Sequence, residues 1–175
     1  MMRLVKASAL ALSGLIIMIT LLSLFIPSRV LVSRGVAIHS SAKKVYNAIA
    51  VLRNWKTWHP VFKDNPSEVA FSKDSTGVNS SCEWESNGKK NKLLVITQAE
   101  NEISLSLQRP GETNVLNTIT ILPLADSNSV QVEWKALTRL KWYPWEKLYG
   151  VFIEKVTGQG YEDALNSLKA VLDGH

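Results

Sequence analysis

Three histidines, one cysteine and six tryptophans are the scarce side chains of this sequence able to do chemistry or recognition. The stretch "VLRNWKTWHPVF", Val51–Phe62, brings Trp55, Trp58 and His59 together and follows them with Pro60. A histidine against an aromatic wall has the setting of a general base in a pocket, and equally that of a turn-capping residue. Tyr161 is a second, weak proton-shuttle candidate. His39 falls where a strand gives way to a helix and His175 closes the sequence. No two histidines have the spacing of a metal pair, so neither metal nor cofactor is expected. Cys82 has no disulfide partner and no histidine placed to activate it, and reads as a small buried hydrophobe. Glu83 and Glu85 alternate with Cys82 and Trp84, and Glu133 with Val132 and Trp134. Side chains alternate across a strand, so these acids face away from the indoles. A hydrolase or cyclase would want a carboxylate on the indole side, at a raised pKa. No Gly-rich phosphate loop or Ser-centred elbow occurs.

The elements that must position these residues are legible from periodicity. "SRVLVSRGVAI" is rich in β-branched residues and predicts a strand over Val30–Ile38, with Gly35 marking a bulge. "HSSAKKVYNAIAVLRNW" places Ser40 or Ser41 as an N-cap ahead of an apolar face of Val45, Ile49 and Leu52. Asn54 then caps a short turn, "WKTW", that Pro60 ends. Strands are predicted in "SSCEWES", "KLLVITQA", "EISLSLQ", "VLNTITIL" and "VQVEWKAL". "NGKKNK", "EN" and "ADSNS" read as turns between them. Alternation this regular implies an antiparallel sheet with one face covered. The cover is the C-terminal helical segment, in which Leu148, Phe152 and Val156, then Leu165, Leu168 and Leu172, form the apolar set and Gly174 the C-terminal cap. Gly158 and Gly160, in "TGQG", signal either a break or a place where bulk must stay low.

A second aromatic knot, "RLKWYPWEKLYG", sets Trp142, Tyr143 and Trp145 around Pro144. With Arg139, Lys141 and Lys147 it fits a belt at lipid headgroups, and it also fits a cavity mouth or plain core. The membrane reading draws on the N-terminus, where no charge occurs from Ala7 to Ser28. About twenty apolar helical residues cross a bilayer. The run is longer than the core of a cleavable signal and lacks an Ala-x-Ala site. Residues 1–28 are therefore expected to be a single-pass anchor and 29–175 one domain; a cleaved signal and an interfacial helix are the competing readings. The flanking charges give no clean orientation, though a short leading tail favours a non-cytoplasmic domain at the cell membrane. Arg3, Lys6, Arg29 and Arg34 account for nearly all of the net charge of +5, and without them sixteen basic residues face fifteen acidic ones. The body therefore lacks the basic groove that nucleic acid demands.

The order strand, helix, short helix, about six strands and long helix resembles the START-like superfamily, which includes polyketide cyclases and birch-pollen-allergen-like proteins. The resemblance rests on "VAIHSSAKKVYNAIAVLRNWKTWHP", "VQVEWKA" and "YEDALNSLKAVLDG", and covers Arg29 to Gly174. The family lacks the "TGQG" insert. The resemblance implies an α+β helix-grip fold, a curved antiparallel sheet around a long C-terminal helix, with an apolar cavity between them. Trp55 and Trp58 would then close one end of the grip, each indole N–H reaching solvent. Cys82, Trp84, Leu105, Ile119, Val132 and Trp134 would line the cavity from the sheet, and Gly158 and Gly160 would give it room on the helix. Binding of a hydrophobic small molecule or lipid is the expected function. A cyclase or dehydratase using His59 or Tyr161, and an envelope interaction module with a collapsed cavity, are the alternatives.

Overall fold

In the computed structural model every residue is described except 1, 65–67, 87, 126–127 and 175. Asn87 of the expected "NGKKNK" turn, Asp126 and Ser127 of "ADSNS", and His175 lie outside the described residues. The elements run α1 (Met2–Leu24), β1 (Arg29–Ile38), α2 (Ala42–Ala50), a 3-10 turn (Leu52–Asn54), α3 (Trp55–Trp58), α4 (Pro60–Asp64), β2 (Ala70–Phe71), β3 (Ser81–Ser86), β4 (Lys89–Ala99), β5 (Glu102–Gln108), β6 (Val115–Pro123), β7 (Val130–Arg139) and α5 (Pro144–Asp173).

The strands form one antiparallel sheet in the order β1-β7-β6-β5-β4-β3-β2, so the two ends of the chain segment meet at one edge through β1 and β7. β1 pairs with β7 along its whole length, and Gly35 stands opposite Glu133 without a break in register. The expected bulge at Gly35 is therefore absent. The register shift lies instead between Val95 and Thr97 in the β4–β5 pair. The "EN" turn joins β4 to β5 as expected, with Ala99 opposite Glu102. Two other turn readings move. Lys89–Lys92 are paired strand, opposite Ser86 to Glu83. Pro60 ends α3 and also opens α4, since its fixed φ suits a first helical position.

The α5 helix crosses "TGQG" unbroken. Gly158 is there for proximity: a Cβ at that position would come within 2.4 Å of the Arg34 guanidinium on β1. Gly150 plays the same part further up, where a Cβ would meet Leu140 at 2.2 Å. This close approach corrects the expected face of the helix. Leu148 and Phe152 point away from the sheet and are exposed, Val156 is exposed at the edge of the cavity, and Lys147, Gly150, Ile153 and Gly158 are buried. Only glycine leaves room for the Leu140 and Arg34 side chains against the helix, so the bulky set is turned outward. Beyond Gly160 the expected face holds, with Leu165, Leu168 and Leu172 in the core.

The last turn of α5 is latched to β1. The Lys169 ammonium donates to the Ala37 carbonyl at 2.8 Å and to Asp173 at 2.6 Å. The His39 backbone N–H donates to Asp173 at 2.8 Å. These donors hold the Asp173 carboxyl below its usual range, the Lys169 hydrogen bond being the largest cause. Gly174, at φ 86, closes the helix by donating its N–H to the Ala170 carbonyl.

Candidate ligand-binding site

The tryptophan turn is built by α2. Its C-terminal carbonyls have no intrahelical partner, and two indoles supply one. Trp55 Nε1 donates to the Ile49 carbonyl at 2.7 Å, and Trp58 Nε1 donates to the Ala48 carbonyl at 3.0 Å. The expected reach of these N–H groups to solvent is thus replaced by helix capping, and both side chains are 1% exposed. Their rings tilt against each other at 4.9 Å and meet Trp134 of β7 edge-on at 5.6 and 6.4 Å. Phe62 of α4 joins Trp55 at 6.0 Å and carries the aromatic wall to Trp84 of β3 at 5.0 Å.

Beside this wall, between the sheet and α5, lies a cavity of about 640 Å³. That volume falls within the range of small-molecule sites. Trp55, Phe62, Trp84 and Trp134 form one side, and a second apolar cluster of Val32, Val115, Ala136, Leu140 and Ile153 forms the floor. Gly160 and Tyr161 line it from the helix. A Cβ at Gly160 would meet nothing within 4 Å, so the glycine leaves real space there. Gly158 does not reach the cavity, because Arg34 lies across it.

The remaining residues singled out in the sequence divide by depth. Cys82, Leu105, Ile119, Val132 and Trp58 are packed solidly in the main core and do not border the cavity. Burial pushes the Cys82 thiol up to about 12, which leaves it protonated and unreactive. Glu83 is exposed, and Glu133 is held below the usual carboxylate range by hydrogen bonds from Lys135 and then Ser33. Both acids face away from the cavity, as their alternation with the indoles requires.

Polar groups border the cavity too, among them the charged Arg109, Glu112, Arg139 and Glu146 as well as His59, Asn117 and Tyr161. His59 stacks on Trp55 at 5.2 Å, and burial pushes its pKa down to about 4. Its Nδ1 is enclosed and has no hydrogen-bond partner among the described residues. Tyr161 packs on Trp134 at 5.2 Å, and burial raises its phenol above the ordinary value. Asn117 is buried in β6; its Oδ1 accepts from Trp134 Nε1 at 3.0 Å and its Nδ2 donates to the Val115 carbonyl at 3.2 Å. The rim carries the ion pair Arg109–Glu112, at 3.4 Å. Sequence reading missed Asn117 and the floor. Asn117 did leave a signal, as the one polar residue at an inward position of a strand whose other inward residues are Val115, Ile119 and Ile121. The floor left none, because it forms only where β1, β7 and α5 converge.

Trp142, Tyr143 and Trp145 form a separate stack outside the cavity. Tyr143 and Trp145 are parallel at 5.0 Å, and Trp142 and Trp145 are 72% and 69% exposed.

No family profile matches the sequence, and no curated protein is detectably similar to it. Solved structures do match. A START superfamily protein from Mycobacterium smegmatis aligns with TM-score 0.61 at 20% identity, over 82% of this chain and 97% of its own. A truncated norcoclaurine synthase from Thalictrum flavum aligns with TM-score 0.62 at 13% identity, over 84% and 95%. The protein XoxI from Bacillus cereus aligns with TM-score 0.61 at 16% identity, over 82% and 95%. The fold is START-like: a seven-stranded antiparallel sheet gripping a long C-terminal helix, preceded by one apolar helix long enough to cross a membrane.

Proposed function

We propose that this START-like chain binds and sequesters a hydrophobic small molecule or lipid in the cavity between its sheet and α5, held at a membrane by α1. The observation that carries this reading is the cavity itself, about 640 Å³ and walled by indoles and aliphatic side chains. Apolar surface withdrawn from water gains roughly 25 cal/mol per Å², so a ligand burying about 200 Å² gains on the order of 5 kcal/mol before association costs. Polar groups at the lining, His59, Tyr161 and Asn117 among them, orient such a ligand rather than drive its binding. In this reading α1 is a single-pass anchor, and the domain sits on the non-cytoplasmic side of the cell membrane.

An enzyme of the cyclase or dehydratase kind is the second reading, favoured by the presence of His59 and Tyr161 together at the cavity. The direction of their shifts argues for binding instead. General acid–base catalysis works best with a pKa near the working pH. Here burial drives the imidazole to about 4 and the phenol upward, so both are neutral at pH 7 and reluctant to exchange protons. A cavity of this size likewise speaks against a collapsed interaction module.

The test is Gly160→Leu in the full chain. No heavy atom lies within 4 Å of the new Cβ and Gly160 borders the cavity, so the larger side chain is expected to narrow it with the fold intact. Uptake of a fluorescent polyene fatty acid is expected to fall at least ten-fold while the thermal midpoint holds. Equal uptake by the folded variant would sink the assignment.

A further inference from the structure

The α5 helix is apolar on two opposite faces in its first half and on one face in its second. Trp145, Leu148, Tyr149, Phe152 and Val156 recur at helical spacing on the face turned away from the sheet, and they are 69%, 47%, 54%, 58% and 62% exposed. Opposite them Gly150 and Ile153 are buried against the domain. Further along the same outward stripe the residues become Gln159, Asp163 and Asn166. An apolar stripe belongs in an apolar medium. The domain supplies one side of the first half, and water is the wrong medium for the other.

The chain itself says what covers that face. Residues 25–28 are all that separate α1 from β1. This short tether is clamped to the first turn of α5: the buried Lys147 ammonium donates to the Ile26 carbonyl at 2.8 Å and to Ser28 Oγ at 2.6 Å. The Leu140 N–H donates to the Ser28 carbonyl at 2.9 Å. The α1 helix also touches α5 directly. The first turn of α5 is thereby held beside the point where α1 would enter a bilayer, which brings the neighbouring outward stripe near that surface. Arg29, Arg139 and Lys141, in the segments flanking α5's first turn, and Lys155 on the helix are exposed, and cations of this kind meet lipid headgroups. Tyr149 and Val156 belong to both surfaces, exposed on the stripe and lining the cavity. The apolar outer face and the apolar cavity are one continuous surface.

We infer that the first half of α5 lies in the membrane interface and is the doorway through which a hydrophobic ligand passes between bilayer and cavity. This rests on the carrier reading and on α1 as an anchor.

The experiment uses the full chain in phosphatidylcholine–phosphatidylglycerol nanodiscs, with spin labels at Leu148→Cys, Phe152→Cys and Asn166→Cys. The native Cys82 is buried and protonated and stays unlabelled. Labels at the first two sites are expected to collide with oxygen far more than with a water-soluble nickel chelate, and the third with the reverse preference. A water-exposed label at Phe152→Cys, or dipolar broadening there from a second copy, overturns the inference. A functional arm separates doorway from pocket. Phe152→Asp is expected to slow loading of the fluorescent fatty acid from vesicles at least ten-fold and to leave loading from a cyclodextrin complex unchanged. Vesicle loading at the unaltered rate refutes the doorway alone. A native chain that takes up the probe from neither source refutes the carrier reading beneath it.

Discussion

His59 shows how much a residue's role depends on surroundings that local sequence does not display. By type and neighbours it qualified equally as a base and as a turn cap. In the structure it caps the turn through its backbone, its N–H donating to the Trp55 carbonyl at 2.8 Å, while its neutral ring stacks on Trp55 and borders the cavity, pushed down to about 4 by burial. The shift has a consequence for stability. A free histidine titrates near 6.5. Above that value both folded and unfolded chains carry the neutral ring. Between about 6.5 and 4 the unfolded chain takes up a proton that the folded one refuses, so stability is complete above the window and falls through it. The loss amounts to roughly 3 kcal/mol at most. Comparing denaturant midpoints of the native chain and His59→Phe from about pH 7 to pH 4.5 isolates this one group from the carboxylates. The native chain is expected to lose more stability across the window; parallel curves would show that His59 titrates normally. Cys82 and the acids were simpler. Alternation along one strand settled their sides, because side-chain direction in a strand is a local property.

Among the elements, α2 and the tryptophan turn illustrate packing that reinforces secondary structure. Trp55 is both a core side chain and the donor to an orphan carbonyl of α2. Trp55→Phe keeps most of the apolar volume and strands the Ile49 carbonyl in a dry site, which costs about 1–3 kcal/mol. Thermal unfolding checks this. A loss under about 0.5 kcal/mol would mean that the carbonyl finds another donor, against the capping role. The strands and α2 were readable because their periodicity is local and their registers follow from alternation. The orientation of α5's first half was not. Its two apolar faces, Gly150 with Ile153 and Leu148 with Phe152, have similar periodicity, and the bulkier one was chosen for the core. The deciding fact is tertiary: Leu140 and Arg34 occupy the space where larger helix residues would have to go. The glycines at 150 and 158 mark which face touches, and Gly158 was read as room for a ligand only because the partner across the interface was out of view.

For the molecule as a whole, one architecture accounts for what the parts do separately. The sheet and the aromatic wall hold a greasy hollow open beneath α5, the latch through Lys169 and Asp173 fixes the far end of that helix, and the Lys147 clamp ties its near end to the membrane-ready α1. The helix-grip architecture could be anticipated from element order and the positions of a few tryptophans. The cavity floor could not, because Val32, Ala136, Leu140 and Ile153 come from segments distant in sequence and meet only in the finished fold. Native mass spectrometry of the full chain released gently from detergent tests the central claim most directly. The native chain is expected to carry a bound apolar molecule of defined mass, and Gly160→Leu, equally folded, to fly without it. A native chain that appears only at its own mass, indistinguishable in occupancy from the variant, would contradict the account.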